Sequence, residues 1–130
     1  MLDPYIPSET REIFIQKQIK LFEFSCENSL LWGDLLTHVS QHGNFDFVIC
    51  SHTLEDLNYP EATATLIKLV GNAGYIAVPS RYAEAARFQY KLGLENPYRG
   101  YEHHRWIYRL EYSTLIGYPK MGWQEKILPP

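Results

Sequence analysis

The stretch Asn44–Leu57 reads NFDFVICSHTLEDL, and the fold turns on how it is read. Phe45, Phe47, Val48, Ile49 and Cys50 make a nearly continuous apolar run. Ser51, His52, Thr53, Glu55 and Asp56 then follow within six residues. A strand covered on both faces has this unbroken apolarity, and parallel strands lying between helices are covered on both faces. The abrupt polarity marks the point where such a strand leaves the interior.

Downstream, Asn58 and Glu61 make a capping-box-like helix start, with Pro60 tolerated in the first turn. Ala62, Leu66, Leu69 and Val70 recur at i, i+4, i+7 and i+8, the spacing of one helix face. Gly71, Asn72 and Gly74 break that helix, and GYIAVP (Gly74–Pro79) reads as a second buried strand. Ser80 caps a further helix from about Tyr82 to Leu92, closed by Gly93. ENPYRGYEH is loop, and WIYRLEY and TLIGYPK form a terminal hairpin joined around Tyr112 and Ser113. The tail ending in Pro129 and Pro130 is expected to be loose.

Upstream, Ser8 is an N-cap with Glu9 and Glu12 in the first turn, where the helix dipole favours acids. That helix is expected to run to about Lys20, with Ile15 and Ile19 on one face. LFEFSC (Leu21–Cys26) reads as a short strand. Asn28 or Ser29 caps a second helix with an apolar stripe of Leu31, Leu35, Leu36 and Val39, ended by Gly43 in the left-handed position. Strands alternating with helices predict right-handed crossovers and a Rossmann-like three-layer α/β sandwich. Its sheet is expected to be mostly parallel, with a C-terminal antiparallel hairpin. Ligands of such sheets bind outside the carboxyl ends of the strands. Cys50–Thr53 and Pro79–Arg81 therefore stand at the expected functional rim.

A length of 130 residues fits one domain able to bury its own core. Aromatic residues at 15% argue against disorder. No apolar run approaches the ~18 residues of a membrane span, and MLDPYIPSETRE is too acidic and polar for a signal peptide. Cys26 and Cys50 lie in apolar runs and read as reduced core thiols of a cytoplasmic protein. A net charge of −3 argues against nucleic acid as a partner. Between Arg81 and Arg109 the basic residues Arg81, Arg87, Lys91, Arg99, Arg105 and Arg109 outnumber Glu84, Glu95 and Glu102. Such a run is usually a solvated face, with a weaker reading as a preference for an anionic small molecule.

NFDFVICSHTLEDL, a helix, and then GNAGYIAVPSR together resemble the second half of class I S-adenosylmethionine-dependent methyltransferases of the type 11-like group. There a strand reading like FDxVxxxxxLEH is followed by a helix, a Gly-containing turn and a strand ending near Pro. Phe45, Asp46, Val48, Leu54 and Glu55 match the first pattern, with Asp56 where many members have His; Gly71, Gly74 and Pro79 match the second. The likeness covers Asn44–Arg81 and extends to the terminal hairpin. It implies S-adenosylmethionine as cofactor and methyl transfer to a small-molecule acceptor. Cys50, Ser51 and His52 would line the cofactor site, Asp3 would bind the ribose hydroxyls, and Glu27, Asn28 or Asp34 would lie near the adenine.

The chain departs from the family in one respect. The family's cofactor loop, read like DxGxG, needs glycine because the backbone must approach the cofactor closely, yet the first glycine here is Gly33. MLDPYIPSETRE looks like the family's second strand end and second helix, so the first strand, its turn and the first helix are expected to be missing. Residues 1–130 then read as a single partial domain, truncated or degenerate. Its exposed sheet edge would be covered by a homodimer or a partner chain. The alternative is a non-catalytic methyltransferase-like remnant acting through self-association or a partner protein.

His52, at a strand's carboxyl end, suits a general base removing a proton from the acceptor, or a purely positioning role. The bland alternative is a rim histidine bonded to a neighbouring loop. Glu55 and Asp56 are expected to orient the next helix start. Arg81 and His104 are expected to contact the acceptor, with Tyr82, Tyr98 and Tyr101 nearby. In Glu102–Trp106, adjacent strand residues point to opposite faces, so His103 and His104 are not expected to share a metal, and no metal site is expected. The plain reading has one of the two packed against Trp106. His38 and His42 have zinc-compatible i, i+4 spacing but no third ligand, and a helix C-terminus is reason enough for them. A third reading is a small metal hydrolase using His52, His103 or His104, and Glu55.

Overall fold

The computed structural model describes residues 8–18, 20, 22, 25–86, 88–89 and 98–122. Asp3 and Ile19 lie outside them. Two compact units emerge, one of Met1–Val48 with Glu61–Ala73, the other of Ile49–Pro60 with Gly74–Pro130.

In the first unit, α1 spans Ser8–Gln16. It stops short of the expected Lys20 because Gln18 turns left-handed, at φ 56°. Phe22 and Ser25 lie in no strand and Cys26 lies in a turn; the rest of the expected strand LFEFSC falls outside the described residues. The expected second helix divides in two. The Asn28 side chain accepts from the Leu30 N–H and caps a single 3₁₀ turn, Ser29–Leu31, after which α2 runs Gly33–His42. The break rotates the stripe, so Leu31 is exposed and Trp32 buried beside Leu35. Gly43 ends α2 at φ 82°, its N–H reaching the Val39 carbonyl.

Helix α3 spans Pro60–Val70 and presents Leu66 and Val70 to Trp32 and Leu35, with Phe22, Cys26, Val39, Val48 and Ala62 around them. Thr63 is fully buried on the same helix, and its hydroxyl donates to the Cys26 carbonyl at 3.4 Å.

Strand β1 (Val48–Ser51), which belongs to the second unit from Ile49 onward, and β2 (Gly74–Ala77) form a parallel pair. A parallel pair needs a long crossover between its strands, and α3 lies in that connection. Both strands were expected to be covered on two faces. Instead Ile49 is 63% exposed and Tyr75 57%, while Cys50 is buried.

Helix α4, Arg81–Ala86, is far shorter than the expected run to Leu92. Phe88–Gln89 leaves the helix as β3 and pairs antiparallel with β4, Tyr98–Arg99. β5 (Trp106–Glu111) and β6 (Thr114–Pro119) make the expected hairpin, turning at Tyr112 and Ser113 with Tyr112 left-handed at φ 53°. The molecule is thus mixed α/β, and its described strands form three two-stranded sheets. Among the described residues no helix is long and apolar enough to cross a membrane.

Candidate functional site

The polar half of NFDFVICSHTLEDL is held by the terminal hairpin. The turn after β1 closes with the Asp56 N–H on the Thr53 carbonyl, and three of its carbonyls are taken by β5 or the residue before it. The Glu55 carbonyl accepts from the N–H groups of Arg105 and Trp106, the Leu57 carbonyl from Trp106 Nε1 at 2.8 Å, and the Leu54 carbonyl from the Tyr108 hydroxyl at 3.2 Å. Trp106 is therefore engaged with Leu57, and neither histidine before it takes the expected place against its ring.

His52 is the first residue beyond β1, and its backbone is left-handed at φ 50°. Histidine tolerates this conformation better than most side chains, though not freely. The conformation leaves the ring exposed, with Nδ1 3.3 Å from Glu55 Oε1. Glu55 is only 1% exposed, and neither carboxylate oxygen finds a hydrogen-bond partner among the described residues. A buried carboxylate without hydrogen bonds is costly, so this one stands out.

A second constellation forms where Asp56 faces the loop before β5. The His104 N–H bonds the Tyr101 carbonyl, and Glu102 and His103 occupy the turn between. Because β5 begins only at Trp106, His103 and His104 are not on a strand and do not point to opposite faces. Their rings lie 4.6 Å apart at 82°, and Nε2 of each approaches Asp56 Oδ1, at 4.0 Å from His103 and 3.9 Å from His104. One ligand atom from each of the three lies within 4.8 Å of the others. The expectation that the two histidines could not converge is corrected by this turn.

Behind His104 stands Glu84, buried on α4, whose first turn is capped by Ser80 Oγ accepting from the Ala83 N–H. Glu84 Oε2 lies 2.9 Å from His104 Nδ1. Oε1 accepts from Lys120 Nζ and from the Tyr101 N–H, each at 2.9 Å. Lys120 also donates to the Tyr101 carbonyl at 2.7 Å. Burial by itself raises the Glu84 pKa, but Lys120, the Tyr101 N–H and His104 together hold it below the ordinary carboxylate value. Gly100, at φ 80°, lets the chain pass this carboxylate, since a Cβ there would meet Glu84 Oε1. The Tyr101 ring stacks on His104 at 4.3 Å and 22°.

The other expected site residues are dispersed. Arg81 stays exposed, donating to the Tyr82 hydroxyl at 2.7 Å and covering that ring. His104, expected at the acceptor, is 8% exposed and committed to Glu84. The Cys50 side chain is buried, whereas Ser51 is exposed. Glu84 and Lys120 were not singled out from the sequence, and no local pattern marks either as buried. The chain matches no family model, no curated protein and no solved structure.

Proposed function

We propose that this chain is a Rossmann-like, methyltransferase-related domain that takes part in S-adenosylmethionine-dependent methyl transfer to a small-molecule acceptor, with His52 as the base. The observation behind this reading is the His52–Glu55 pair just beyond the carboxyl end of a strand in a parallel pair. A buried carboxylate facing Nδ1 favours the tautomer with the proton there and leaves Nε2 to take a proton from an acceptor hydroxyl or amine.

Of the residues assigned to the cofactor, Ser51 and His52 stand exposed at this end, while Cys50 can contribute only its main chain. Glu55 Oε1 faces His52 Nδ1 at 3.3 Å, and neither Glu55 oxygen makes a hydrogen bond among the described residues. S-adenosylmethionine carries an ammonium and a sulfonium, and when bound it supplies an electrophilic methyl group. The basic bias after Arg81 favours an anionic acceptor. Both cysteines are thiols, which suits a reducing, cytoplasmic setting.

Calorimetric titration with S-adenosylhomocysteine tests the reading. Micromolar binding, weakened at least tenfold by Glu55→Gln, supports it; a folded chain that binds nothing at millimolar concentration overturns it.

One observation favours a second reading, a non-catalytic remnant that works by self-association. Parallel strands are normally covered on both faces, yet Ile49, Tyr75 and Ile76 are all exposed on this pair. A second copy seated on the face that carries Ile49 would bury that side chain in an isologous dimer. Light scattering at a dimer mass, reverting to monomer in Ile49→Lys, supports it, and a monomer at high concentration overturns it.

A further inference from the structure

We propose that Asp56, His103 and His104 form a divalent transition-metal site that takes Zn²⁺ in preference to Mg²⁺ or Ca²⁺. Two imidazole nitrogens and one carboxylate oxygen are a borderline donor set. Hard cations instead require oxygen throughout. Tetrahedral zinc with bonds of ~2.0 Å places its ligands roughly 3.3 Å apart. Nε2 of His104 and of His103 lie 3.9 and 4.0 Å from Asp56 Oδ1, so small side-chain rotations close the site. His103 and Asp56 are free to make them, being 65% and 43% exposed. Three protein ligands leave a fourth position for water or a substrate oxygen, the arrangement of catalytic zinc rather than structural zinc.

The independent observation is Glu84. A carboxylate only accepts hydrogen bonds, so the 2.9 Å contact fixes the His104 proton on Nδ1. In the neutral ring Nε2 then carries the lone pair, and it faces Asp56. A buried carboxylate that sets the tautomer of a ligating histidine is a recurrent device of metal centres. Glu84 is itself held by Lys120 and the Tyr101 N–H, so the His104 ring sits on a rigid support. A purely structural role for His104 accounts for Glu84 and Lys120. It does not account for Nε2 of both His103 and His104 approaching the same Asp56 oxygen. The site is independent of the cofactor reading.

The test is calorimetric titration of the full chain, stripped with chelator, with Zn²⁺ alone. One equivalent should bind at micromolar affinity or tighter, undisturbed by millimolar Mg²⁺. His103→Ala and Asp56→Ala change exposed side chains, so the fold should persist by circular dichroism, and each should weaken binding at least tenfold. Glu84→Gln should weaken it about 10–100-fold, and the double substitution His38→Ala, His42→Ala should leave it unchanged. The proposal is overturned if the folded chain takes up no zinc, if His103→Ala and Asp56→Ala bind as the wild type does, or if only the His38/His42 variant loses binding.

Discussion

The two units bury different chemistry. The first encloses Trp32, Leu35, Leu66 and Val70, whereas the second encloses Glu55, Glu84 and His104 beside Leu54, Cys50 and Tyr108. Each unit also carries a histidine pair. His38 and His42 stack at 4.4 Å on α2, beside Phe22 and Phe45, with Lys20 Nζ 3.2 Å from His38 Nδ1. His103 and His104 meet Asp56, with Glu84 behind. Identical side chains are thus given a cationic neighbour in one unit and carboxylates in the other. Apolar burial is non-directional and serves stability. Polar burial must be held by named partners and confers orientation.

The sharpest way to break this contrast is Glu84→Ala. It leaves Lys120 and His104, both buried, without their shared carboxylate. Loss of one partner from a buried ion pair costs about 3–5 kcal/mol, measurable by denaturant unfolding. A loss below about 1 kcal/mol, the range of an exposed pair, would mean that the polar interior of the second unit is not held as described. Leu66→Ala is the matched change in the first unit, at a residue 2% exposed. It should cost about 3 kcal/mol and leave zinc titration unchanged. A parallel loss of zinc affinity would show that the two interiors are not separate in function.

Glu55 tests the contrast from the other side, because its carboxylate is buried without hydrogen bonds. Glu55→Met keeps the bulk and removes the buried oxygens that make no hydrogen bond. It should raise stability by about 1–3 kcal/mol while depriving His52 of its partner. A decrease instead would show that the carboxylate is paired in solution.

How much of this could be read from the chain follows the range of the interactions. Helix α3, the β1 and β2 strands and the hairpin turn at Tyr112 and Ser113 were legible, because capping and apolar spacing are local signals. The position of His52 beyond β1 followed from the same reasoning. The break at Trp32 was not legible, since the Asn28 cap was read as starting one continuous helix, whereas the turn it starts ends at Leu31. The pairing of Phe88–Gln89 with Tyr98–Arg99 overrode an acceptable helical pattern. The convergence of Asp56, His103 and His104 depends on the Glu55 carbonyl capturing Arg105 and Trp106, a contact between distant segments. Glu84 and Lys120 come from separate segments again, and each looks like an ordinary surface charge until Gly100 and Tyr101 bring the chain past them.

The smallest effect concerns His38. Burial, then the Lys20 ammonium, then His42 all push its pKa below 6.5. The unfolded chain therefore takes up this proton first as pH falls. The contribution to stability is complete above pH 6.5 and declines as the pH drops from there through the folded-state value. In an NMR titration the His38 ring should show a midpoint below 6.5, moving upward in Lys20→Gln. A midpoint at or above 6.5 would place Lys20 away from the ring. It would also remove the electrostatic difference between the two pairs, because His38 would then lack the cationic neighbour that sets it apart from His103 and His104.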